Sequence, residues 1–366
     1  MVDVARASVM LGPGKEIEVR EFPLPEVEPK GALVRVEMAS VCGTDVHMWR
    51  GRRVVPFPII PGHEGVGRVY RLGAALKTDT SGEKLLEGDR IIWSLEIACG
   101  ECYYCVVKKD TSACVQRKLY GYISCADPPH LNGTFSQFIY LRPRTVVFKL
   151  PDELSNEAAV PAACALSTVI SGVEKVGVEV GDTVLIQGAG PLGLYGLILA
   201  KEMGAMKTIV IDKTGPRLEL AKLLGADCVI DIAKTSDSNG RIREVRDMTE
   251  GHGVDLVLEC TGVPIVIPEG IQMLRHRGRY LLLGTASEEA GPVSINPANV
   301  TLKVLKLIGS RAYEPRHLMQ ALTFLRLKRK RYPFERIISH RYSLQDVPKA
   351  IEAYERLQTV KAAIVP

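Results

Sequence analysis

An alternation of strand-like and helix-like segments through the middle of the chain constrains the fold more than any other feature. Thr183–Gln187 has the apolar, β-branched composition of a buried strand, and residues 192–203 have the length and composition of a helix. The unit then repeats, with strand patterns at residues 208–212, 228–231, 254–259 and 279–283. Because strands joined by crossover helices run parallel, this order predicts an α/β fold with a doubly wound parallel sheet.

The junction between the first of these strands and its helix carries a G-x-G-x-x-G sequence, made of Gly188, Ala189, Gly190, Pro191, Leu192 and Gly193. Glycines there permit a tight turn and a close approach of the backbone to a pyrophosphate, which binds the free N–H groups of the helix N-terminus. Asp212 ends the next strand, where a carboxylate accepts hydrogen bonds from both ribose hydroxyls and repels a 2′-phosphate. The sequence therefore predicts an NAD site, although Lys213 and Arg217 lie close by and weaken the preference for NAD over NADP.

The segments on either side of this region have a different pattern. Short β-rich stretches separated by Gly and Pro turns precede it, and a mixed pattern follows it. The 366 residues also exceed the roughly 250–300 that one hydrophobic core supports. We therefore expect a β-rich domain formed by residues 1–163 and 303–366, interrupted by a nucleotide-binding domain at residues 164–302.

Four cysteines form a compact cluster within residues 95–118: Cys99, Cys102, Cys105 and Cys114. Gaps of two residues let thiolates converge on one tetrahedral ion, and four protein sulfurs leave no open coordination position. The cluster therefore predicts a structural zinc site. Free reduced thiols without a metal are the alternative.

A second group of metal-binding residue types is dispersed along the chain and consists of Cys42, His63, Glu64 and Cys164. Thiolate and imidazole suit zinc, and three protein ligands with one exchangeable oxygen are the usual catalytic arrangement. Spacing alone does not join these residues, because a single buried Cys or His is more often an ordinary core residue.

Five segments, at residues 41–47, 61–67, 99–114, 163–168 and 188–193, stand in an order that resembles the zinc-containing alcohol dehydrogenases of the medium-chain superfamily, especially sorbitol and threonine dehydrogenase-like members. The resemblance covers nearly the whole chain. It implies a GroES-like catalytic domain, a Rossmann domain, NAD, and two zinc ions per subunit. The family usually has seven residues between the third and fourth cysteines of the lobe, whereas this chain has eight.

The resemblance also implies roles for individual residues. Cys42, His63 and Cys164 match the ligands of the catalytic zinc in the cleft between the domains, and Glu64 resembles a glutamate that approaches the metal. The zinc would lower the pKa of the alcohol so that hydride passes from its carbinol carbon to NAD.

Three residues that follow Cys42 complete this implied mechanism. Thr44 matches a hydroxyl that relays the substrate proton through the cofactor ribose, and His47 matches the residue that delivers it to solvent. Asp45 would accept a hydrogen bond from the second nitrogen of His63. Lys361 matches a basic residue near the cofactor phosphates, and a solvated lysine is equally consistent.

The substrate implied is a small alcohol; the tyrosines and Glu96 favour a hydroxyl-bearing or cyclic secondary alcohol, whereas Leu95 and Trp49 equally favour a plain one. We expect its pocket to include Trp49 and residues 94–96 and 120–122. Three alternatives remain open: a zinc-free reductase of activated double bonds, a non-catalytic NAD-binding regulator, and a zinc-ribbon nucleic-acid binder built on the cysteine lobe.

Charge and composition bear on partners and location. The net charge of +5 is small beside 47 basic and 42 acidic residues, so we expect no nucleic-acid partner. No apolar run reaches the ~20 residues of a membrane span, and no secretory signal is recognised, so we expect a cytoplasmic protein without a membrane partner. The resemblance implies a homodimer or homotetramer, with residues 302–310 as a contact.

Overall fold

The computed structural model describes residues 4–284 and 291–366 and forms two compact units. Met1–Cys164 and Tyr313–Pro366 make the first unit, and Ala165–Ala312 make the second. The strands are, in chain order, β1 Val4–Met10, β2 Ile17–Pro23, β3 Ala32–Ser40, β4 Glu64–Leu72, β5 Arg90–Trp93, β6 Glu96–Ile97, β7 Lys118–Leu119, β8 Phe138–Leu141, β9 Val147–Lys149, β10 Thr183–Gln187, β11 Lys207–Asp212, β12 Cys228–Asp231, β13 Val254–Glu259, β14 Leu274–Leu282, β15 Lys306–Gly309, β16 Ile338–Tyr342 and β17 Lys361–Ile364. The helices are α1 Gly43–Trp49, α2 Tyr103–Val106, α3 Asn156–Ala159, α4 Ala165–Val176, α5 Pro191–Met203, α6 Gly215–Leu223, α7 Ser238–Asp247, α8 Val266–Met273, α9 Pro297–Leu302, α10 Pro315–Lys328 and α11 Val347–Glu355.

The first unit is built on a mostly antiparallel sheet. Its strand order is β16-β17-β3-β4-β5-β9, and β8 also pairs with β3. Apolar side chains from alternate positions of these strands form its core, as expected for strands with one buried face. The register places Ser40 opposite Glu64 between β3 and β4, and Ala363 opposite Ser40 between β17 and β3. Three neighbouring strands therefore bring distant parts of the chain to one place.

The second unit is built on a parallel sheet with the strand order β12-β11-β10-β13-β14-β15. The order reverses between β10 and β13, and a crevice forms outside the carboxyl ends of the strands at such a reversal. The G-x-G-x-x-G loop lies at this edge, between β10 and α5. The predicted α/β class with a doubly wound parallel sheet is confirmed.

The second unit extends further along the chain than the predicted boundary at residue 302. β15 pairs in parallel with β14, with Lys306 opposite Arg279, and the unit continues to Ala312. The sequence did not reveal this strand because three of its four residues are exposed and only Ile308 is half-buried. An edge strand of this kind lacks the apolar alternation by which strands are recognised.

Within the described residues, no single helix combines the length and apolar composition needed to cross a membrane. One bent pair, Asn156–Ala163 with Ala165–Val176, passes on length and composition alone.

Candidate metal centres and nucleotide-binding loop

The four cysteines of the lobe converge on one point. The Sγ–Sγ distances are 3.5 Å for Cys99–Cys114, 3.6 Å for Cys102–Cys105, 3.9 Å for Cys102–Cys114 and 4.0 Å for Cys99–Cys105. A tetrahedral zinc with Zn–S bonds of about 2.3 Å places its sulfurs about 3.8 Å apart, so these distances fit the ion. They are far longer than the ~2.05 Å of a disulfide. The lobe therefore fits a structural zinc.

The eight-residue gap before Cys114 is taken up by local structure. α2 follows Cys102, and Lys109 then adopts a left-handed conformation with φ 55°. A short 3₁₀ helix, Thr111–Ala113, ends at Cys114, and its cap Asp110 accepts hydrogen bonds from the backbone N–H and the hydroxyl of Ser112. The extra residue therefore does not displace the fourth sulfur.

Electrostatics within the lobe favour a bound cation. A hydrogen bond from the backbone N–H of Cys105 lowers the pKa of Cys102 to about 6. A thiolate is therefore populated there at neutral pH, and the thiolate is the form that binds metal.

The dispersed group also converges. The donor atoms of Cys42, His63, Glu64 and Cys164 lie within 4.8 Å of one another. Cys42 immediately precedes α1, Glu64 begins β4 directly after His63, and Cys164 follows a 3₁₀ helix at Val160–Ala163. Two sulfurs and one imidazole are the ligand types of a catalytic zinc with one open position.

The side chains of this second cluster shift one another's pKa values, as expected for groups that can bind a metal ion in place of protons. The thiol of Cys164 donates a hydrogen bond that lowers the pKa of Cys42 well below its ordinary value, and Cys164 retains its proton. Burial opposes protonation of His63, but the hydrogen bond and charge of Cys42 outweigh it and raise the pKa of His63 to about 9. A buried anionic cluster that draws protons in this way binds a divalent cation with release of those protons. The donor set therefore fits zinc.

A residue outside both clusters supports the position of Cys164. Tyr313 is 2% exposed, and its hydroxyl donates a hydrogen bond to the carbonyl of Ala163, immediately before Cys164. The same hydroxyl accepts a hydrogen bond from the N–H of Leu95, at 3.4 Å. Nothing in the sequence around Tyr313 indicated this contact, because it joins residues 150 positions apart.

Glu64 is held by two partners that the sequence did not identify. Its Oε2 accepts from Ser40 Oγ at 2.5 Å, and Lys361 Nζ lies 2.7 Å from Oε2 and 2.9 Å from Oε1. Lys361 is 1% exposed, so the interpretation of a solvated lysine is wrong. Burial lowers the pKa of Lys361, but the negative charge of Glu64 more than compensates and raises it above the ordinary value.

Asp45 acts on the backbone of the metal-binding segments. Its carboxylate accepts hydrogen bonds from the N–H of Cys42 at 2.8 Å and the N–H of Gly62 at 3.0 Å. The expected hydrogen bond from His63 is absent, and Nδ1 of His63 has no partner within residues 4–284 and 291–366. The reason is local: Asp45 occupies the third position of α1, where its side chain caps the helix N-terminus.

Thr44 and His47 lie on α1 beside the dispersed cluster. The Thr44 hydroxyl is 3.9 Å from Cys42 Sγ, and His47 follows almost one turn later on the same helix. Tyr122 forms a hydrogen bond with Thr44, and its ring centroid is 6.3 Å from that of His63. Of the segment at residues 120–122 that was predicted to line the pocket, Tyr122 therefore lies near Thr44 and His63.

Other residues expected in the pocket are engaged elsewhere. Tyr120 is fully buried, and its hydroxyl lies 2.6 Å from Thr145 Oγ1. Glu96 is 7% exposed and lies 3.4 Å from the guanidinium of Arg117. Trp49 is half-buried and donates a hydrogen bond to the carbonyl of Lys15.

The glycines of the loop in the second unit have separate roles. Gly188 adopts a left-handed conformation with φ 96°. A Cβ on Gly193 would lie 1.8 Å from the carbonyl oxygen of Gly188, so only glycine permits this approach of helix to loop. A Cβ on Gly190 would meet nothing closer than Arg217 Nη1 at 3.8 Å, so this position faces open space. Pro191 begins α5, and the N–H groups of Leu192 and Gly193 lie in its first turn, where helix N–H groups lack intrahelical partners.

Asp212 lies at the same edge of the sheet. Its carboxylate accepts hydrogen bonds from the N–H of Ala189 at 2.7 Å and the N–H of Thr214 at 2.8 Å, which ties the glycine loop to the end of β11. Lys213 is exposed, whereas Arg217 is 6% exposed and lies beside Gly190. The structure therefore brings all the predicted nucleotide-binding residues to one loop region.

Comparison with known proteins agrees with both units. Residues 28–152 match the alcohol dehydrogenase GroES-like domain, and residues 191–326 match the zinc-binding dehydrogenase family. A 5-exo-hydroxycamphor dehydrogenase of Pseudomonas putida is 35% identical, with 98% of each chain covered. An L-threonine 3-dehydrogenase of Pyrococcus horikoshii is 33% identical, with 96% of this chain and 95% of that chain covered. The crystal structure of an alcohol dehydrogenase from Thermotoga maritima has a TM-score of 0.92 at 35% identity and 99% coverage of both chains.

These similarities extend over the whole chain and confirm the predicted GroES-like and Rossmann folds. They do not support the zinc-free reductase or the non-catalytic regulator. The chain belongs to the zinc-binding alcohol dehydrogenase family, and it is an oxidoreductase that uses zinc and a nicotinamide dinucleotide to interconvert a small alcohol and its carbonyl compound.

Proposed function

We propose that the enzyme oxidises a neutral secondary alcohol to a ketone with NAD, at a zinc held by Cys42, His63 and Cys164. The convergence of two sulfurs and one imidazole in the first unit carries this proposal. Such a set leaves one position of a tetrahedral ion for an exchangeable oxygen. The lobe cysteines, with four sulfurs, would hold a second, structural zinc.

The domain roles follow from the same residues. We assign catalysis to the first unit, which contains both cysteine clusters, and cofactor binding to the second, which contains the glycine loop. When bound, the metal supplies a Lewis acid and the dinucleotide supplies the hydride acceptor.

The side chains of α1 are placed to move the substrate proton. The hydroxyl of Thr44 lies beside Cys42 Sγ, where it can accept a proton from a substrate hydroxyl as it donates its own. His47, almost one turn further along the helix, is half-buried, and an imidazole exchanges protons with water near neutral pH. Asp45 holds the backbone on which both ligand segments depend.

The charges near the cluster favour a neutral substrate. Glu96 is engaged by Arg117, and Glu64 by Lys361, so neither carboxylate is available to bind the ammonium group of an amino acid. Tyr122 offers an aromatic surface and a hydroxyl near Thr44. A cyclic secondary alcohol fits these groups better than L-threonine does, and better than a polyol, which would need more hydrogen-bonding partners.

The test is NAD reduction, followed at its near-ultraviolet absorbance, with a panel of cyclic and acyclic secondary alcohols, sorbitol, benzyl alcohol and L-threonine. We expect kcat/KM for cyclic secondary alcohols to exceed that for L-threonine by at least ~10-fold, which corresponds to about 1.4 kcal/mol. A chelator that removes one zinc per chain should abolish turnover. Full activity in metal-free protein would refute the catalytic-zinc assignment, and a preference for L-threonine would refute only the substrate class.

The preference for NAD over NADP is part of the proposal. Asp212 is 7% exposed at the carboxyl end of β11, and a carboxylate there repels a 2′-phosphate. Because Lys213 is exposed and Arg217 lies beside Gly190, a cationic side chain is also within reach of this region. We therefore expect a preference for NAD with measurable use of NADP.

We also propose that the enzyme is a homodimer or homotetramer that works in the cytoplasm. β15 is an edge strand of the parallel sheet, and the residues around it include exposed apolar side chains: Leu302, Val304 and Leu307. An edge of this kind is suited to pairing with a second copy. All nine cysteines are free thiols, which agrees with a reducing compartment.

A further inference from the structure

Lys361 and Ser40 surround Glu64 on the side of the sheet next to the dispersed cluster. Lys361 begins β17, Ser40 ends β3 and Glu64 begins β4, and these three strands are neighbours in the sheet. All three residues are at most 1% exposed. Because sheet register positions them, none of the three can move far without breaking strand pairing.

The contacts occupy both oxygens of the Glu64 carboxylate. Lys361 Nζ bridges them at 2.7 and 2.9 Å, and Ser40 Oγ lies 2.5 Å from Oε2. The same ammonium donates to the carbonyl of Val41 at 3.2 Å, immediately before Cys42. Oε1 of Glu64 lies 3.7 Å from Nε2 of His63. The carboxylate is therefore next to the metal-binding group and directed to Lys361.

The charges also favour an arrangement in which Cys42, His63 and Cys164 bind the metal while Glu64 pairs with Lys361. A divalent ion with the thiolates of Cys42 and Cys164 and a neutral imidazole has no net charge, and the pair of Glu64 and Lys361 has none either. If Glu64 became a ligand, the metal set would carry a negative charge and the ammonium would lose its closest partner. Separating buried charges in this way is unfavourable, because a buried charge needs a paired and hydrogen-bonded partner.

We propose that Lys361, assisted by Ser40, is a positioning residue that keeps Glu64 from joining the catalytic metal as a fifth ligand, so that the metal keeps three protein ligands and one exchangeable oxygen. This inference rests on the proposed function, since it requires a metal at Cys42, His63 and Cys164. It assigns a role to a lysine that contacts neither substrate nor metal.

The experiment uses full-length protein in which cobalt(II) replaces zinc, because the visible d–d absorption of cobalt is strong with four ligands and weak with five. Four proteins are compared at equal cobalt content: wild type, Lys361→Met, Glu64→Gln and the double variant. The lobe contributes the same spectrum to each, so differences report the dispersed cluster. We expect Lys361→Met alone to lose d–d intensity, and the double variant to recover the wild-type spectrum.

Three outcomes would overturn the inference. One is an unchanged spectrum in Lys361→Met, and another is a loss of intensity in the double variant equal to that in Lys361→Met. The third is a change in Glu64→Gln alone, which would mean that Glu64 already ligates the metal in the wild type. Glu64→Gln keeps an oxygen for Ser40 and Lys361. If Lys361→Met does not fold, the Glu64→Gln spectrum therefore still decides whether Glu64 ligates the metal in the wild type.

Two further variants test the role of the ion pair, and the cobalt content separates this inference from the function on which it rests. Lys361→Arg keeps the charge pair and should retain the wild-type spectrum, whereas Ser40→Ala should lose less intensity than Lys361→Met. Cobalt content distinguishes the two levels of failure. One cobalt per chain, confined to the lobe, would contradict the catalytic-metal proposal itself, whereas two cobalts with identical spectra in all variants would contradict only the role of Lys361.

Discussion

Cys164 is the residue on which the catalytic-metal assignment depends most directly. It is the third of the proposed ligands, and its thiol lies in contact with Cys42. Replacing Cys164 with Ser should reduce kcat by more than ~100-fold, because even groups that only orient a ligand cost 10- to 100-fold when removed. NAD affinity should be unchanged, since the glycine loop belongs to the second unit. Metal analysis and NAD titration by fluorescence test this prediction.

The matched control is Cys125→Ser. Cys125 is 3% exposed and belongs to neither metal-binding group. Its substitution should leave zinc content and turnover unchanged. Full activity in Cys164→Ser would show that Cys164 is not a required ligand.

Asp45 stabilises the two segments that carry Cys42 and His63. Burial raises the pKa of Asp45, and its two oxygens accept from the N–H groups of Cys42 and Gly62. Asp45→Asn keeps one acceptor and points an amide N–H₂ at the other donor, so the free energy of unfolding should fall by about 1–3 kcal/mol. Urea unfolding of the zinc-loaded proteins measures this difference. An unchanged midpoint would contradict the role we give to Asp45.

The sequence could predict a site residue when its partners lie close to it along the chain, and could not when they lie far away. The lobe cysteines fall within sixteen positions, and their spacing alone indicated a tetrahedral site. Cys42, His63 and Cys164 required a family resemblance, because nothing local joins them. Lys361 and Glu64 are 297 positions apart, and no rule of spacing predicts that contact. Lys361 was expected to be solvated or near phosphates for this reason.

In the loop between β10 and α5, substitutions of Gly190 and Gly193 should affect cofactor binding and folding differently. A Cβ at Gly190 meets no atom closer than 3.8 Å, whereas one at Gly193 would lie 1.8 Å from the Gly188 carbonyl oxygen. Gly190→Ala should therefore change the free energy of unfolding by no more than about 0.5 kcal/mol. It should raise the Kd for NAD by at least ~10-fold, because the methyl group occupies the approach to the pyrophosphate.

Gly193→Ala is the comparison for this loop. Here the helix or the loop must shift, so the variant should lose about 1–3 kcal/mol of stability as well as cofactor affinity. Thermal unfolding and NAD titration of both variants distinguish the two effects. Equal NAD affinity in Gly190→Ala and wild type would show that the cofactor does not approach this glycine.

The carboxylate of Asp227, which lies between α5, β11 and β12, should make the free energy of unfolding depend on pH. Burial raises the pKa of Asp227, but hydrogen bonds from Thr208 and Lys201 outweigh it, so its pKa lies below the ordinary value. A lowered carboxyl pKa gives stability that is fully present above the unfolded pKa of about 3.9 and is lost as pH falls through the folded pKa. Asp227 is 39% exposed, so solvent screening limits the ion-pair contribution to about 1 kcal/mol or less.

Asp227→Asn should therefore be less stable than wild type by a constant amount between pH 5 and pH 8. The difference should shrink below about pH 4, where the wild-type carboxylate becomes protonated. Urea unfolding across this range tests the prediction. Lys222, whose ion pair with Glu219 is exposed, offers a control, since Lys222→Met should show no comparable effect.

The sequence predicted strands correctly where burial gave their residues a recognisable apolar pattern. β10, β12 and β13 have the bounds predicted from their apolar runs. β15 was missed because its residues are largely exposed, and the predicted domain boundary was placed too early as a result. Edge strands carry less apolar signal than central strands, so they are the elements least visible in a single sequence.

The proposed oligomer depends on the same edge strand, β15. Among the described residues, β15 pairs with β14 alone in its sheet, so its outer backbone groups can pair with a second copy. Leu302 is 75% exposed and Leu307 is 39% exposed, and burying these side chains would favour association. All the residues that would take part in this association belong to the second unit.

Leu302→Lys combined with Leu307→Lys should convert the oligomer to smaller species, because four or more lysines would meet across a symmetric interface. Size-exclusion chromatography with light scattering measures the mass. Leu327→Lys is the control, since Leu327 is 67% exposed on α10 in the first unit, and its substitution should leave the mass unchanged. If the double variant kept the wild-type mass, association through β15 would be wrong. If instead the double variant dissociated and kept its kcat, a single chain would suffice for catalysis. That result is expected, because every proposed ligand and cofactor contact lies within one chain.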